Sequence, residues 1–117
     1  MNNITSLKQG DIWVNKDEIT TGDWSINIRN EDIILLFHEN FITPDGPDLK
    51  LFLSPMDLND IGVNESIQDD GLYLDVLKRV TGKQEYSLPE KEVLSNYKSL
   101  VIHCEKYTVV WGGIDIK

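Results

Sequence analysis

The chain has 117 residues, of which 40% are hydrophobic and 26% charged, and this composition is typical of a folded globular domain. Its 20 acidic and 11 basic residues give a formal net charge of -9, which disfavours nucleic acid and anionic lipid surfaces as partners. The longest apolar run, residues 33–37, is too short to insert into a membrane, and the N-terminus lacks the pattern of a secretory signal. We therefore expect one acidic, soluble domain over residues 1–117, with residues 1–9 as a flexible N-terminal segment.

Apolar and polar residues alternate with a period of two in the first half of the chain, and this pattern predicts β-strands. The first predicted strand covers residues 23–29 and carries Trp24, Ile26 and Ile28 on its apolar face. Residues 31–37 form the second strand. Residues 30–31 between the two strands fit a hairpin turn, because Asn is common at such positions.

A loop rich in proline and glycine follows at residues 43–48, where two prolines fix φ and one glycine permits a positive φ. Residues 49–53 and residues 72–76 alternate again and are predicted to be strands. Residues 56–71 between them are polar, with only a few apolar side chains. We expect this segment to be a surface loop.

The C-terminal third begins with a short predicted strand over residues 84–88, which Pro89 ends because proline cannot donate a hydrogen bond to the sheet. Residues 89–94 predict one helical turn, since proline and acidic residues both suit a helix start. Residues 99–104 and residues 107–116 are the last two predicted strands.

These last two strands differ in the parity of their apolar positions. The apolar positions are Leu100, Ile102 and Cys104 in the first strand and Tyr107, Val109 and Trp111 in the second. Both sets can face one core only if a bulge or turn lies at residues 105–106. In total, about seven to eight short strands predict an all-β fold, either an antiparallel β-sandwich or a barrel-like domain.

Few residue patterns in the chain indicate catalysis or metal binding. The sequence has no glycine-rich phosphate loop, no paired-cysteine spacing for zinc and no nucleophile elbow. Its two histidines, His38 and His103, are far apart in sequence, and a metal site usually needs three or more ligands. We therefore predict no metal site, and we do not expect the domain to be an enzyme by itself.

Cys104 is the only thiol of the chain. It shares a strand face with apolar residues, and this favours packing as a small buried hydrophobe. Lys106, after the predicted irregularity, could turn back and stabilise the thiolate, which is the reactive form of cysteine. The spacing alone favours the packing role but leaves the reactive role open.

Three segments of the chain also carry a family resemblance. They are NF with GPDLKLFLS at residues 40–41 and 46–54, GKQEYSLP at residues 82–89, and YKSLVIHCEKYTVVWG at residues 97–112. Their order and spacing resemble the DM-thirteen domain family, and the resemblance covers nearly the whole chain from about residue 10. It implies a β-sandwich-like domain that occurs in animals beside DOMON domains on cell-surface proteins, and in bacteria often as a small exported or lipid-anchored protein.

The resemblance further implies a role in electron transfer centred on one characteristic cysteine, whose position Cys104 occupies. In the family this cysteine is proposed to act as a bare thiol or to hold a prosthetic group such as haem. We therefore expect a redox or electron-transfer accessory domain that works with a redox protein partner. Its location would be exported or at the cell surface, and otherwise cytoplasmic.

The alternative is a non-catalytic binding or cell-surface interaction module in which Cys104 is structural. Exposure of the Cys104 sulfur distinguishes these two roles. We expect a thiol of limited reactivity that a partner or cofactor must activate. We also expect no tight haem binding by the isolated domain, because a two-layer sandwich of this length leaves little room for a haem pocket.

Overall fold

The computed structural model describes residues 4–117. Within this range the strands are β1 Ile4–Gly10, β2 Val14–Asn15, β3 Trp24–Arg29, β4 Asp32–Phe37, β5 Leu49–Ser54, β6 Leu72–Val76, β7 Gln84–Leu88, β8 Ser99–Cys104 and β9 Val109–Asp115. The helical elements are a short 3-10 helix at Leu58–Asp60 and the single-turn helix α1 at Lys91–Leu94. The predicted all-β fold is confirmed.

The strands form two antiparallel sheets that pack together as a sandwich. One sheet has four strands in the order β1-β3-β4-β7, and the other has five strands in the order β2-β9-β8-β5-β6. The described residues thus contain nine strands instead of the predicted seven or eight, because β1 and β2 carry no clear alternation in the sequence.

The expectation of a flexible segment at residues 1–9 is wrong for residues 4–9. These residues belong to β1, which pairs antiparallel with β3 and places Lys8 opposite Ile26. A register shift between Ser6 and Lys8 interrupts the strand, and this irregularity breaks the period of two on which the sequence prediction depends. The rest of that expectation, at residues 1–3, lies outside the described residues.

The predicted hairpin between β3 and β4 is confirmed. Asn30 and Glu31 connect the two strands with φ values of 51° and 77°. Positive φ at both central residues is the backbone of the two-residue hairpin turns that match the twist of the flanking strands. The turn fixes the register so that Ile26 lies opposite Leu35, and both side chains are buried in the core.

The main core lies between the two sheets. Its buried residues are Trp13, Trp24, Ile26, Ile33, Leu35, Phe37, Phe41, Leu49, Leu51, Leu53, Tyr86, Leu100, Ile102, Cys104, Trp111 and Ile114. The alternating positions of β8 that face this core are those that the parity argument predicts. The core therefore follows the strand periodicity of the sequence.

The connection from β8 to β9 contains the predicted irregularity and also one error of the prediction. Residues 105–108 form a turn, and Thr108 has a φ of 53°. Tyr107 lies in this turn and is 62% exposed, so it does not face the core as predicted. A bulge at Trp111 then shifts the core-facing positions of β9 by one residue. Ile102 lies opposite Gly112, whereas His103, the next residue of β8, lies opposite Val110, so Trp111 is the extra residue of the bulge.

The predicted surface loop at residues 56–71, hereafter the flap, covers the outer face of the five-stranded sheet. Its side chains Leu58, Ile61 and Ile67 are buried. They form a second apolar cluster with side chains of the sheet, namely Phe52, Val101 and Val110. As a result all six residues of β8 are buried, and this strand is covered on both faces.

Candidate functional site

Cys104 ends β8, and its side chain is completely buried in the main core. It lies opposite Leu49 of β5 and opposite Val109 of β9. The Sγ–H group donates a hydrogen bond to the carbonyl oxygen of Pro47, with an Sγ···O distance of 3.1 Å. The structure thus places the thiol where an apolar strand face predicts it, beneath one loop of the chain.

This loop comprises residues 43–48 and is hereafter the cover loop. Its two proline carbonyls accept hydrogen bonds from side chains of the sandwich. The Pro47 carbonyl accepts a hydrogen bond from the thiol of Cys104. The Pro44 carbonyl accepts one from the indole Nε1–H of Trp111 at 2.9 Å. Thr43 and Asp48 at the ends of the cover loop make the backbone bonds to the rest of the fold. The middle of the cover loop is therefore held by side-chain donors from β8 and β9.

Gly46 brings the cover loop into close contact with the ring of Trp111. A Cβ atom at this position would lie 2.8 Å from Cζ2 and 2.9 Å from Cη2 of the indole. These distances are shorter than real Cβ contacts allow, so a larger residue would displace the loop or the ring. Glycine is therefore required here by space, and the fit of the loop over Cys104 depends on it.

Lys106 does not reach the thiol in this structure. Its ammonium group lies over the ring of Tyr107, 5.6 Å from the ring centroid, in the turn after β8. In the part of the chain that the structure describes, the sulfur has one hydrogen-bond partner, the carbonyl oxygen of Pro47. The predicted stabilisation of a thiolate by Lys106 therefore has no contact that would support it.

The two histidines lie next to different sheets. His38 follows β4, and its Nε2 atom lies 3.0 Å from Oγ of Ser25. His103 lies on the outer face of β8, where its Nδ1 atom bonds the carboxyl group of Glu105. Among residues 4–117, no group of three or more His, Cys, Asp or Glu side chains is arranged to hold a metal ion.

A comparison with known protein families shows which family the chain belongs to. The model of the family described as electron transfer DM13 matches residues 13–116. The chain belongs to this family. The resemblance seen in the sequence is therefore confirmed, and the domain is related to electron transfer by its family. A search of the curated proteins finds no match, and a search of the solved structures finds none either.

The surroundings of Cys104 in this DM13 domain do not fit a haem group. Coordination of haem iron by the thiolate needs an apolar pocket that opens onto the sulfur. The sulfur is instead enclosed by the core and bonded to Pro47, with Leu49 and Val109 on the neighbouring strands. Cys104 is therefore not assigned as a haem ligand. In the described residues, none of the helices has the length and apolar character needed to cross a membrane.

Three features of the DM13 domain near Cys104 do not follow from the sequence analysis. They are the Pro47 acceptor, the Trp111 bond to Pro44, and the pair of His103 with Glu105. The first two join residues that are far apart in the chain, so spacing carries no sign of them. The third could have been found, because residues i and i+2 at a strand end point to the same side.

Tyr86 is a buried titratable group in the four-stranded sheet. Its hydroxyl donates a hydrogen bond to Oε1 of Gln84 at 2.5 Å and accepts one from the backbone N–H of Lys78 at 2.8 Å. Burial raises the pKa of Tyr86 to about 12, because the phenolate is poorly solvated there. This tyrosine packs against Phe37 with ring centroids 5.5 Å apart, and it supports the core beneath the sheet.

Proposed function

We propose that this DM13 domain is an electron-transfer accessory domain whose redox residue is Cys104 and whose partner is a redox protein. Membership of the electron transfer DM13 family supports the general role. The observation that carries the residue assignment is the hydrogen bond from Sγ to the Pro47 carbonyl. It places the only thiol of the chain beneath a single loop, at the end of a strand and at one end of the sandwich.

The chemistry that fits a single thiol is exchange with a disulfide of the partner. The Cys104 thiol loses its proton to solvent, and the thiolate attacks one sulfur of the partner disulfide. The partner S–S bond breaks, a mixed disulfide forms, and the other partner sulfur leaves as a thiolate. A dithiol of an electron-donor protein then completes the transfer. Its first thiolate attacks Sγ of Cys104 and releases the partner as a dithiol. Its second thiol attacks the new mixed disulfide, so that the donor becomes a disulfide and Cys104 returns to the thiol.

This reaction requires movement of the cover loop, because the sulfur is completely buried when the loop is closed. The middle of the loop is held to the sandwich by the donors of Cys104 and Trp111. Opening it costs these two bonds and local packing, which is far less than unfolding the sheet. Contact with a partner that lifts the cover loop would therefore activate the thiol.

An aromatic disulfide probe, whose released thiolate absorbs visible light, tests the proposal. Gly46→Ala inserts a methyl group against Trp111 and should accelerate the reaction of folded protein by about tenfold, as expected if loop opening becomes easier by about 1.4 kcal/mol. Gly62→Ala is the matched control, because a Cβ there meets only Glu65 at an ordinary 3.6 Å. Cys104→Ser should abolish the reaction.

The same experiment can defeat the proposal. If Gly46→Ala reacts no faster than the Gly62→Ala control after correction for stability, the cover loop does not control the thiol. If the folded wild-type chain forms no adduct with the probe or with a disulfide-bonded redox protein, the assignment of Cys104 as the redox residue fails.

A second function is favoured by the complete burial of the sulfur. In this alternative the domain is a non-catalytic binding or surface-interaction module, and Cys104 only fills the core and satisfies the Pro47 carbonyl. A variant that replaces Cys104 with alanine would then retain partner binding at unchanged affinity. Retained reduction of a partner by that variant would support a route that does not use the thiol.

A further inference from the structure

A buried pair of titratable side chains lies on the outer face of β8, opposite to the face that carries Cys104. His103 and Glu105 have side chains that are only 2% and 6% exposed. Nδ1 of His103 bonds Oε1 of Glu105, and Nε2 of His103 lies 2.9 Å from the backbone carbonyl oxygen of Glu65 in the flap. The imidazole therefore bridges the strand end and the flap.

The hydrogen-bond partners of the imidazole determine how many hydrogens its two ring nitrogens carry. A backbone carbonyl only accepts, so Nε2 carries a hydrogen. Nδ1 faces a carboxyl oxygen, so a second hydrogen must lie between His103 and Glu105. Oε2 of Glu105 accepts a hydrogen bond from the amide of Gln68, and this favours the carboxylate form. The closed arrangement is therefore an imidazolium that donates from both ring nitrogens.

Removal of one proton breaks this arrangement. A neutral imidazole has one N–H group, so it can donate to Glu65 or to Glu105 but not to both. The bare nitrogen would then face either a carbonyl oxygen or a carboxylate oxygen, and two acceptors in contact repel. Because the pair is shielded from water, the unpaired acceptor would be costly.

The same residues hold the flap to the sheet. His103 bonds the Glu65 carbonyl, Glu105 bonds the Gln68 amide, and the backbone N–H of Val110 donates to the Val63 carbonyl at 2.7 Å. These polar contacts all fall within residues 63–68 of the flap. A fourth contact in this segment, from the Asn64 amide to the Thr108 carbonyl, is long at 3.5 Å. Two of the four depend directly on the His103 and Glu105 side chains.

The two lysines on the elements next to the pair are engaged elsewhere. Lys50 of β5 lies opposite His103 in the sheet, but its ammonium pairs with Asp48 at 3.5 Å and lies near the Tyr73 ring. Lys106 of the following turn lies over Tyr107. The neighbour of His103 on β9 is the apolar Val110, and the ring of Phe52 meets the imidazole edge-on. In residues 4–117 the ion pair of Glu105 is with His103.

We propose that the His103–Glu105 pair is a proton-operated clasp that fastens residues 63–68 of the flap to the five-stranded sheet. Loss of the imidazolium proton at rising pH opens this segment and exposes the apolar surface beneath it, formed by Phe52, Val101 and Val110. The clasp lies on the outer face of β8 and does not depend on a redox role of Cys104.

Two measurements on the folded chain test the clasp together. Two-dimensional NMR that correlates the ring nitrogens with the ring C–H protons reports the protonation of His103 between about pH 5 and 9. Hydrogen exchange, corrected for the intrinsic pH dependence, reports the protection of the flap amides. We expect both ring nitrogens to be protonated when the flap is protected. As His103 loses its proton, protection of residues 63–68 should fall on the order of tenfold, in line with loss of a hydrogen bond to a charged group.

Variants separate the clasp from general effects of pH. His103→Gln cannot titrate, so protection of the flap should become independent of pH in this range. His38→Gln is the matched control on the other sheet and should keep the wild-type response. Flap protection that stays constant while the His103 signals titrate would overturn the proposal. A singly protonated His103 in the protected state would overturn it as well.

Discussion

Replacement of Cys104 by serine tests how the sulfur is held in the core. The side chain is fully buried, and its sulfur donates to the Pro47 carbonyl at an Sγ···O distance of 3.1 Å. The C–O bond of serine is shorter than the C–S bond of cysteine, so the hydroxyl lies farther from Pro47 and the hydrogen bond weakens. A poorly bonded hydroxyl in an apolar site costs ~1–3 kcal/mol, and we expect this loss in the free energy of unfolding of Cys104→Ser.

Alanine at the same position separates packing from polarity. Cys104→Ala removes the sulfur but adds no hydroxyl, so we expect a loss of ~1 kcal/mol, typical of deleting one small buried group. The assay is urea unfolding followed by tryptophan fluorescence, with the same slope required for all three proteins. A loss below ~0.5 kcal/mol for Cys104→Ser would refute the reasoning, since that value is typical of surface positions.

Two further predictions concern pH and haem. The pKa of Tyr86 is about 12 in the folded protein against 10.0 in the unfolded chain, so its contribution to stability is complete below pH 10 and is lost between pH 10 and 12. Unfolding free energies at these pH values should show a loss of ~2–3 kcal/mol that Tyr86→Phe lacks, and an equal loss in both proteins would contradict the assignment. Haem added to the isolated domain should give no stable Soret band, because the Cys104 sulfur is completely buried in the core. A band that disappears in Cys104→Ala would show the opposite.

Strand alternation was sufficient to predict most of the sandwich. The β3–β4 hairpin follows from its apolar pattern and from Asn30, whose φ of 51° suits the turn. The inward direction of Cys104 follows in the same way from its parity with Leu100 and Ile102. These features are local, so the sequence around each residue is enough to specify them.

The elements that were missed depend on partners far away in the chain. β2 has two residues, and it forms a strand only because Val14 and Asn15 pair with β9. The bulge at Trp111 is defined by the register of β9 against β8, which a single strand does not reveal. Pro47 reaches the sulfur because the cover loop folds across the end of the sandwich. No spacing rule relates Pro47 to Cys104.

The most direct test of the account is the alkylation rate of Cys104 in the folded protein at increasing concentrations of urea, all below the unfolding transition. The account predicts alkylation at least about tenfold slower than in the unfolded chain, with a weak dependence on urea, because only the cover loop must open. Alkylation as fast as in the unfolded chain would contradict the buried thiol. A dependence on urea as steep as that of global unfolding would show that the cover loop does not open on its own.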